Sequence, residues 1–197
     1  HTIRYLKPVQ IWGRIWYRLF RFTLSDTPVP TVRAVTDKWI CSSERQSSMM
    51  AASRFRFLNL EAELGEADRK PGDMSLLWLY NLHYFDDLNA QGAAQRTDWH
   101  KQLIKRWVGE IPLMEGVGWQ PYPVSLRSVN WIKWQLKGNA LPDDAAVSLA
   151  LQVRFLRSHL EIHLLGNHLW ANAKALVFAG CFFEGDEADE WLGKGLL

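Results

Sequence analysis

Two consecutive segments of this chain distribute their apolar residues differently, and that contrast limits the folds it can adopt. Residues 144–160 carry one apolar stripe at spacings of three and four, whereas residues 167–182 are apolar nearly all round. A helix with one apolar stripe covers a core from outside, and a helix that is apolar all round is buried on every side. The pair therefore predicts two layers, with inner helices covered by outer ones.

Six helices are predicted from residue 75 onward, joined by short connections. Their ranges are 76–88, 98–107, 123–136, about 144–160, 167–182 and a last one from 186, with caps at Asp98, Asp143 or Asp144, Asn167 and Asp186. The Gly- and Pro-rich residues 116–123 predict a loop, with Pro123 as the first residue of the third helix. Sequential helix pairs in two layers predict an all-α fold, either an α/α toroid or barrel or a solenoid. No internal repeat supports the solenoid.

The first 74 residues differ from this helical part. Residues 1–22 place Ile11, Ile15 and Leu19 on one face with arginines between them, which predicts an amphipathic helix. Such a helix either attaches to a membrane surface or, more commonly, docks on its own domain. Residues 23–74 are rich in Ser, Thr and Pro and predict an irregular connector, extended near 23–60. The alternation in Arg54–Phe57 predicts a short strand or hairpin there.

Charge and cysteine content argue against several functions. The 23 basic and 21 acidic residues nearly cancel, so nucleic acid is not an expected partner, because phosphate binding usually needs a basic excess. Cys41 and Cys181 lie far apart and form no zinc-binding spacing. The longest apolar stretch, residues 164–183, is interrupted by polar side chains that are costly in a bilayer, so no transmembrane segment is predicted.

Tryptophan is unusually frequent, with 11 in 197 residues, which indicates flat faces for sugar rings beside those that pack in the core. On a helical wheel, Arg127, Asn130, Trp131 and Trp134 lie opposite the aliphatic side of the third helix. This face suits a carboxylated sugar, since Arg pairs with carboxylates and Trp stacks on rings. A second packing face explains the pattern equally well, because a helix within two layers needs two faces.

The junction of the fourth and fifth helices combines polar groups that suit an anion. Asn167 fits the cap of the fifth helix, where it and His168 would point toward an anion in front of the helix. Capping alone also explains Asn167, and a hydrogen-bonded core histidine explains His168. The spacing of His159, Glu161, His163 and His168 matches no metal signature such as HExxH, so neither a metal nor another cofactor is predicted.

Three segments resemble the N-terminal region of the heparinase II/III-like family. They are LWLYNLHYFD at 77–86, GWQPYPVSLR at 118–127 and GNHLWANAKAL at 166–176. The similarity runs over nearly the whole chain, and the Asn167–His168 pair inside a long matching helix is the specific part of it. The resemblance implies an incomplete α/α toroid, of which residues 75–197 would be the first part. A C-terminal β-sandwich domain would follow outside this chain.

The family implies a lyase that cleaves 4-linked uronic-acid polysaccharides, such as glycosaminoglycans or alginate, by β-elimination. On the matching motif, Asn167 neutralises the uronate carboxylate, and His168 lies in the same site and acts as a base in some members. A tyrosine that serves as base and acid, and a histidine of the β-sandwich domain, are expected beyond residue 197, so the fragment is expected to be inactive alone. An acidic polysaccharide is the expected partner, and the periplasm or the exterior the expected compartment.

Eight further residues are expected to line the substrate cleft, namely Tyr80, His83, Tyr84, Trp119, Tyr122, Arg127, Asn130 and Trp131. Two other functions stay open. A non-catalytic carbohydrate-binding or exopolysaccharide-handling module can keep the same fold. A glycoside hydrolase needs paired carboxylates, for which Asp86, Asp87 and Glu161 are available without a distinctive spacing.

Overall fold

The computed structural model describes Pro8 and residues 27–35, 39–40, 44–65, 74–164 and 166–197. Within these ranges there are two strands and six helices, which are β1 (Arg54–Phe57), β2 (Leu60–Glu63), α1 (Leu76–Tyr84), α2 (Thr97–Glu110), α3 (Pro121–Leu136), α4 (Asp143–Ser158), α5 (Gly166–Phe182) and α6 (Asp186–Gly195). The described part is thus mostly helical, in agreement with the all-α prediction. The predicted helix at 1–22 lies outside it, apart from Pro8. No helix within it is long and apolar enough to cross a membrane.

Helix α3 is the central helix, packed against α1, α4 and α5. Its Val129 and Ile132 are buried on one side, and its Trp131 and Trp134 are buried as well. The sequence had predicted the inner position for residues 167–182. Helix α5 instead buries one face, which includes Leu176, and exposes its first turn. Apolar composition therefore did not decide which helix is enclosed, because enclosure depends on how many neighbours pack around a helix.

The predicted strand at 54–57 is confirmed and forms an antiparallel hairpin with β2, in which Phe57 pairs with Leu60. The two turn residues, Leu58 and Asn59, both have positive φ, as a two-residue hairpin turn of type I′ requires. The hairpin packs on α1: the Phe57 ring meets Trp78 edge-on at 5.0 Å, and Trp78 Nε1 donates to the Leu60 carbonyl at 3.1 Å. This contact fixes the first helix against the connector.

Helix α1 ends at Tyr84, four residues before the predicted end at residue 88. Phe85 takes a left-handed conformation with φ of 59°, and a 3₁₀ turn over Asp86–Asn89 follows. The Phe85 ring is buried and meets Trp131 edge-on at 5.4 Å. Since a left-handed phenylalanine is unusual, packing against α3 rather than local preference ends this helix.

The predicted caps are displaced at several helices. Asp98, Asp143 and Asp186 lie in the first turns of α2, α4 and α6, and the residues before these helices make no side-chain capping bond. In the first turn, their negative charges interact favourably with the positive end of the helix dipole. Helix α3 begins at Pro121, two residues earlier than predicted, and α5 begins at Gly166, so Asn167 is inside its first turn.

The start of the connector is tied to the last helices through Arg154 on α4. Its guanidinium donates to the carbonyls of Thr27 and Pro28 at 3.0 and 2.9 Å, and to both carboxylate oxygens of Glu187 on α6. Beyond this point Val32 forms a β-bridge with Phe183. The first described residues of the connector, from Thr27, therefore lie beside α4 and α6, and no helix or strand lies in its described residues before β1.

Candidate functional site

Arg127 is completely buried and does not face a cleft. Its guanidinium stacks on Trp107, 3.8 Å from the ring centroid. Its Nε donates to Gln152 Oε1 at 2.8 Å, and its Nη1 donates to the His83 carbonyl at 3.3 Å. The wheel face that carries Arg127 is thus a packing face, so the prediction that Arg127 binds a sugar carboxylate is corrected.

Trp119 and Trp131 also belong to the core. Their ring centroids lie 5.8 and 5.7 Å from that of Trp107, and both side chains are buried. A buried ring cannot stack on a sugar, so the prediction that Trp119 and Trp131 line the substrate cleft is corrected. Among the described residues, the buried tryptophans are Trp78, Trp107, Trp119, Trp131, Trp134 and Trp191, so packing accounts for much of the tryptophan surplus.

His83 and Asn130 are engaged inside the protein as well. His83 Nδ1 accepts from Trp107 Nε1 at 3.2 Å, and burial together with the charge of Arg127 lowers the pKa of His83 to about 3. Asn130 Nδ2 donates to the Tyr84 carbonyl at 2.8 Å and to Asp86 Oδ1 at 2.9 Å. Both hydrogens of this amide are used. Neither residue is free to bind substrate as predicted.

Four of the predicted residues do come together, in a row from α1 across the start of α3 to the start of α5. We call Tyr80, Tyr84, Tyr122 and His168 the Tyr–His surface. Successive ring centroids lie 6.5, 5.8 and 4.5 Å apart along this row. Tyr80, Tyr122 and His168 are partly exposed, and Tyr84 is buried between them. The row combines three phenols and one imidazole.

Two phenols of this surface, those of Tyr80 and Tyr84, have raised pKa values. Burial and the charge of Glu161 raise the pKa of Tyr80, although its hydrogen bond to Gln120 acts in the other direction. Burial and the neighbouring tyrosines raise the pKa of Tyr84 to about 12. Both groups are therefore protonated near neutral pH, where they serve as hydrogen-bond donors rather than as bases.

Asn167 lies beside this row, in the exposed first turn of α5. No hydrogen bond engages its side chain within the described residues. It directly precedes His168, whose side chain is 43% exposed. An amide donor and an imidazole thus stand on consecutive residues at the positive end of a long helix, which favours an anion in front of them.

The buried carboxylate of Glu161 contacts the His168 imidazole. Its Nδ1 lies 3.0 Å from Oε1 of Glu161, a residue that is only 7% exposed. Sequence reasoning considered Glu161 as a metal ligand or as a hydrolase carboxylate, and missed this contact. The two residues are seven positions apart across a turn, so no helical or strand periodicity predicts that they meet.

The described residues at this site do not form a group of metal ligands. His159, considered with Glu161 and His168 in the sequence, is instead stacked on Phe155 at 4.1 Å, and its Nδ1 lies 2.9 Å from the Phe155 carbonyl. Burial lowers the pKa of His159. In the described part of the chain, no three His, Cys, Asp or Glu side chains are placed to hold a metal ion.

Sequence reasoning also missed Trp170. It lies one turn after Asn167 on α5, and 79% of its surface is exposed. The sequence predicted that residues 167–182 are buried on every side, so Trp170 was not considered as a binding residue. Because Trp170 lies three residues after Asn167, both side chains are on one face of α5. It is the kind of flat exposed surface that a sugar ring can stack on.

Comparisons of the chain with family models, with curated proteins and with solved structures gave no match. The resemblance to the heparinase II/III-like family therefore rests on the three sequence segments, and function has to be argued from the arrangement of the residues.

Proposed function

We propose that this chain forms part of a lyase that cleaves 4-linked uronic-acid polysaccharides by β-elimination, with Asn167 and His168 in its active site. One observation carries the proposal. The Asn167 amide, which has no hydrogen-bond partner among the described residues, and the partly exposed imidazole of His168 occupy consecutive positions in the first turn of α5. This is the donor-and-base pair that abstraction of a proton beside a carboxylate needs.

The reaction requires stabilisation of a negative charge. Removal of the proton from the carbon next to a uronate carboxylate leaves an enolate-like dianion. The Asn167 amide would donate to a carboxylate oxygen, and the dipole of α5 would add a favourable field. Preorganised donors of this type are worth about 3–4 kcal/mol each in the transition state.

His168 would act as the base. Its imidazole takes the proton, and the electrons of that C–H bond form a C=C bond while the adjacent bond to the glycosidic oxygen breaks. The leaving oxygen needs a proton from an acid. We assign that role to a tyrosine outside residues 1–197, as the family resemblance implies. Tyr80 and Tyr122, whose side chains are partly exposed, would then contact the sugar.

The finer architecture is part of the same proposal. The six helices would be the first part of an incomplete α/α toroid, followed by a β-sandwich domain that completes the site. Glycosaminoglycans, alginate and bacterial exopolysaccharides are the substrate candidates, and the periplasm or the exterior is the matching compartment. Helix α5 packs against both α3 and α6, which supports such a layered arrangement.

The test is an ultraviolet assay of the complete protein on a panel of alginates, heparan-type glycans and other polyuronates. A rise in absorbance from the new C=C bond is expected on one of them, and Asn167→Ala should lower kcat/KM by about 100- to 1000-fold. Asn139→Ala is the matched control, because its amide donates to the Trp134 carbonyl away from this surface. Normal turnover by Asn167→Ala would refute the assignment.

A second candidate is a non-catalytic module that binds acidic polysaccharide. The exposed Trp170 favours it, because a ring beside an amide binds sugar without any chemistry. Binding of a polyuronate by the complete protein, weakened by Trp170→Ala and unaccompanied by product, would support this reading over the lyase.

A further inference from the structure

We infer that Glu161 is a positioning residue that fixes His168 in the tautomer protonated at Nδ1, so that Nε2 keeps the lone pair. The use of that lone pair as a base rests on the proposed function. The tautomer itself follows from hydrogen bonds within the chain and is tested independently of any activity.

The carboxylate of Glu161 has a defined partner for each oxygen. Oε1 lies 3.0 Å from His168 Nδ1, and Oε2 accepts from Asn172 Nδ2 at 3.2 Å. The backbone N–H of Glu161 donates to Asn172 Oδ1 at 2.8 Å. Two bonds therefore join Glu161 to Asn172, and they hold the carboxylate in one orientation.

The orientation of the Asn172 amide is itself determined. A backbone N–H can only donate, so the Asn172 atom that faces it must be the oxygen. Its Nδ2 then donates to Glu161 Oε2 and to Ser125 Oγ, the latter at 3.0 Å. Ser125 Oγ in turn donates to the Pro121 carbonyl at 2.9 Å. Asn172 and Ser125 are both fully buried, so this chain of bonds anchors Glu161 to α3 and α5.

The tautomer of His168 follows from this chain. A carboxylate only accepts, so the imidazole nitrogen that faces it carries the proton. The opposite tautomer would set a lone pair of Nδ1 against Oε1 and leave a buried acceptor unsatisfied, which is costly. The ring centroids of Tyr122 and His168 lie 4.5 Å apart, so the Tyr122 ring limits rotation of the imidazole. An orienting carboxylate of this kind is a recurrent feature of catalytic histidines.

The decisive variant is Glu161→Gln. Asn172 Nδ2 must still donate, so the glutamine oxygen turns to Asn172 and the glutamine NH2 group faces His168 Nδ1. That nitrogen must then accept, and the proton moves to Nε2. Every hydrogen bond is retained, so the variant is expected to fold, while His168 changes its tautomer.

The measurement is nitrogen-15 NMR of the His168 imidazole in the complete protein, with the signal assigned through His168→Gln. We expect a protonated Nδ1 in the wild type and a protonated Nε2 in Glu161→Gln. Glu187→Gln, which alters the carboxylate bonded to Arg154, serves as the control and should leave His168 unchanged. A protonated Nε2 in the wild type, or the same tautomer in both proteins, would overturn the inference.

Kinetics then separate the two proposals. If a polyuronate is cleaved, Glu161→Gln should lower kcat by about 100- to 10,000-fold, the usual range for loss of a general base, with KM little changed. A changed tautomer with unchanged kcat would show that the Nε2 lone pair of His168 is not the base, and would refute that part of the proposed function while the tautomer inference stands. Absence of turnover on every polyuronate would count against the lyase alone, because the NMR result decides the tautomer without it.

Discussion

Arg127 and His83 are neighbours in the core, and the charge of Arg127 affects the protonation of His83. Arg127 donates to the His83 carbonyl, and its charge acts with burial to lower the pKa of the His83 imidazole to about 3. His83 Nδ1 meanwhile accepts from Trp107 Nε1, which is possible only while that nitrogen is unprotonated. The ring is therefore neutral in the folded protein over the whole neutral and mildly acidic range.

The stability of the protein should consequently depend on His83 in acid. The unfolded chain takes up a proton near the ordinary pKa of 6.5, whereas the folded chain resists until about pH 3. The contribution of His83 is thus present above pH 6.5 and is lost as pH falls toward 3, by about 1.4 kcal/mol per pH unit. His83→Asn keeps an acceptor for Trp107 and removes the titration. Urea unfolding at pH 7, 6, 5 and 4 should give a shallower pH dependence for this variant, and parallel curves would contradict the account.

At the scale of elements, the packing of α5 on α6 brings the two backbones unusually close. A Cβ added to Gly180 would lie 2.6 Å from the Leu192 nitrogen and 2.7 Å from the Ala188 carbonyl oxygen. These are backbone atoms of α6, which cannot rotate away. The close approach holds α5 in place, and with it the first turn that carries Asn167 and His168.

Gly180→Ala should therefore destabilise the protein although alanine favours helices. The added methyl group has to push α6 aside, a type of overpacking that costs about 1–3 kcal/mol. Gly193→Ala on α6 is the matched control, since nothing lies within 4 Å of its added Cβ, and it should be neutral or stabilising by up to about 1 kcal/mol. Thermal unfolding of both variants checks the pair. Equal effects would show that the two helices are not in such close contact.

The helices themselves could be predicted because their periodicity is local, but their ends and their exposure could not. Helix α1 stops at Tyr84 because Phe85 packs on Trp131, a contact between residues far apart in sequence. The helical wheel of α3 separated two faces correctly, yet it could not say that the face with Arg127 is covered. The same limit applies to the site. The motif indicated His168, but its contact with Glu161 depends on the turn between α4 and α5 and could not be predicted from the sequence.

For the whole molecule, one buried carboxylate joins the connector to the helices. Asp87 Oδ1 accepts from the backbone N–H groups of Ser48 and Met49 at 2.6 and 3.0 Å, and its Oδ2 lies 2.8 Å from Arg96 Nε and 2.9 Å from His100 Nε2. Burial alone would raise the pKa of Asp87, but these four hydrogen bonds outweigh it and lower that pKa to about 2. The sequence reading considered Asp87 only as one of the carboxylates of a glycoside hydrolase. In the structure it links the connector, through Ser48 and Met49, to the helical part, through Arg96 and His100.

Asp87→Asn should accordingly destabilise the protein by about 3–5 kcal/mol near neutral pH, because it removes a buried carboxylate and leaves the partly buried Arg96 side chain without its counter-charge. Asp86→Asn is the neighbouring control and should cost less than about 1 kcal/mol, since its ion-pair partner Arg45 is largely exposed. The folded pKa of Asp87 lies below its ordinary value of 3.8, so its stabilising effect is complete above pH 3.8 and is lost as pH falls toward 2. The difference in unfolding free energy between wild type and Asp87→Asn should therefore shrink across that window. A difference that stays constant down to pH 2 would mean that the charge of Asp87 does not hold the connector to the helices.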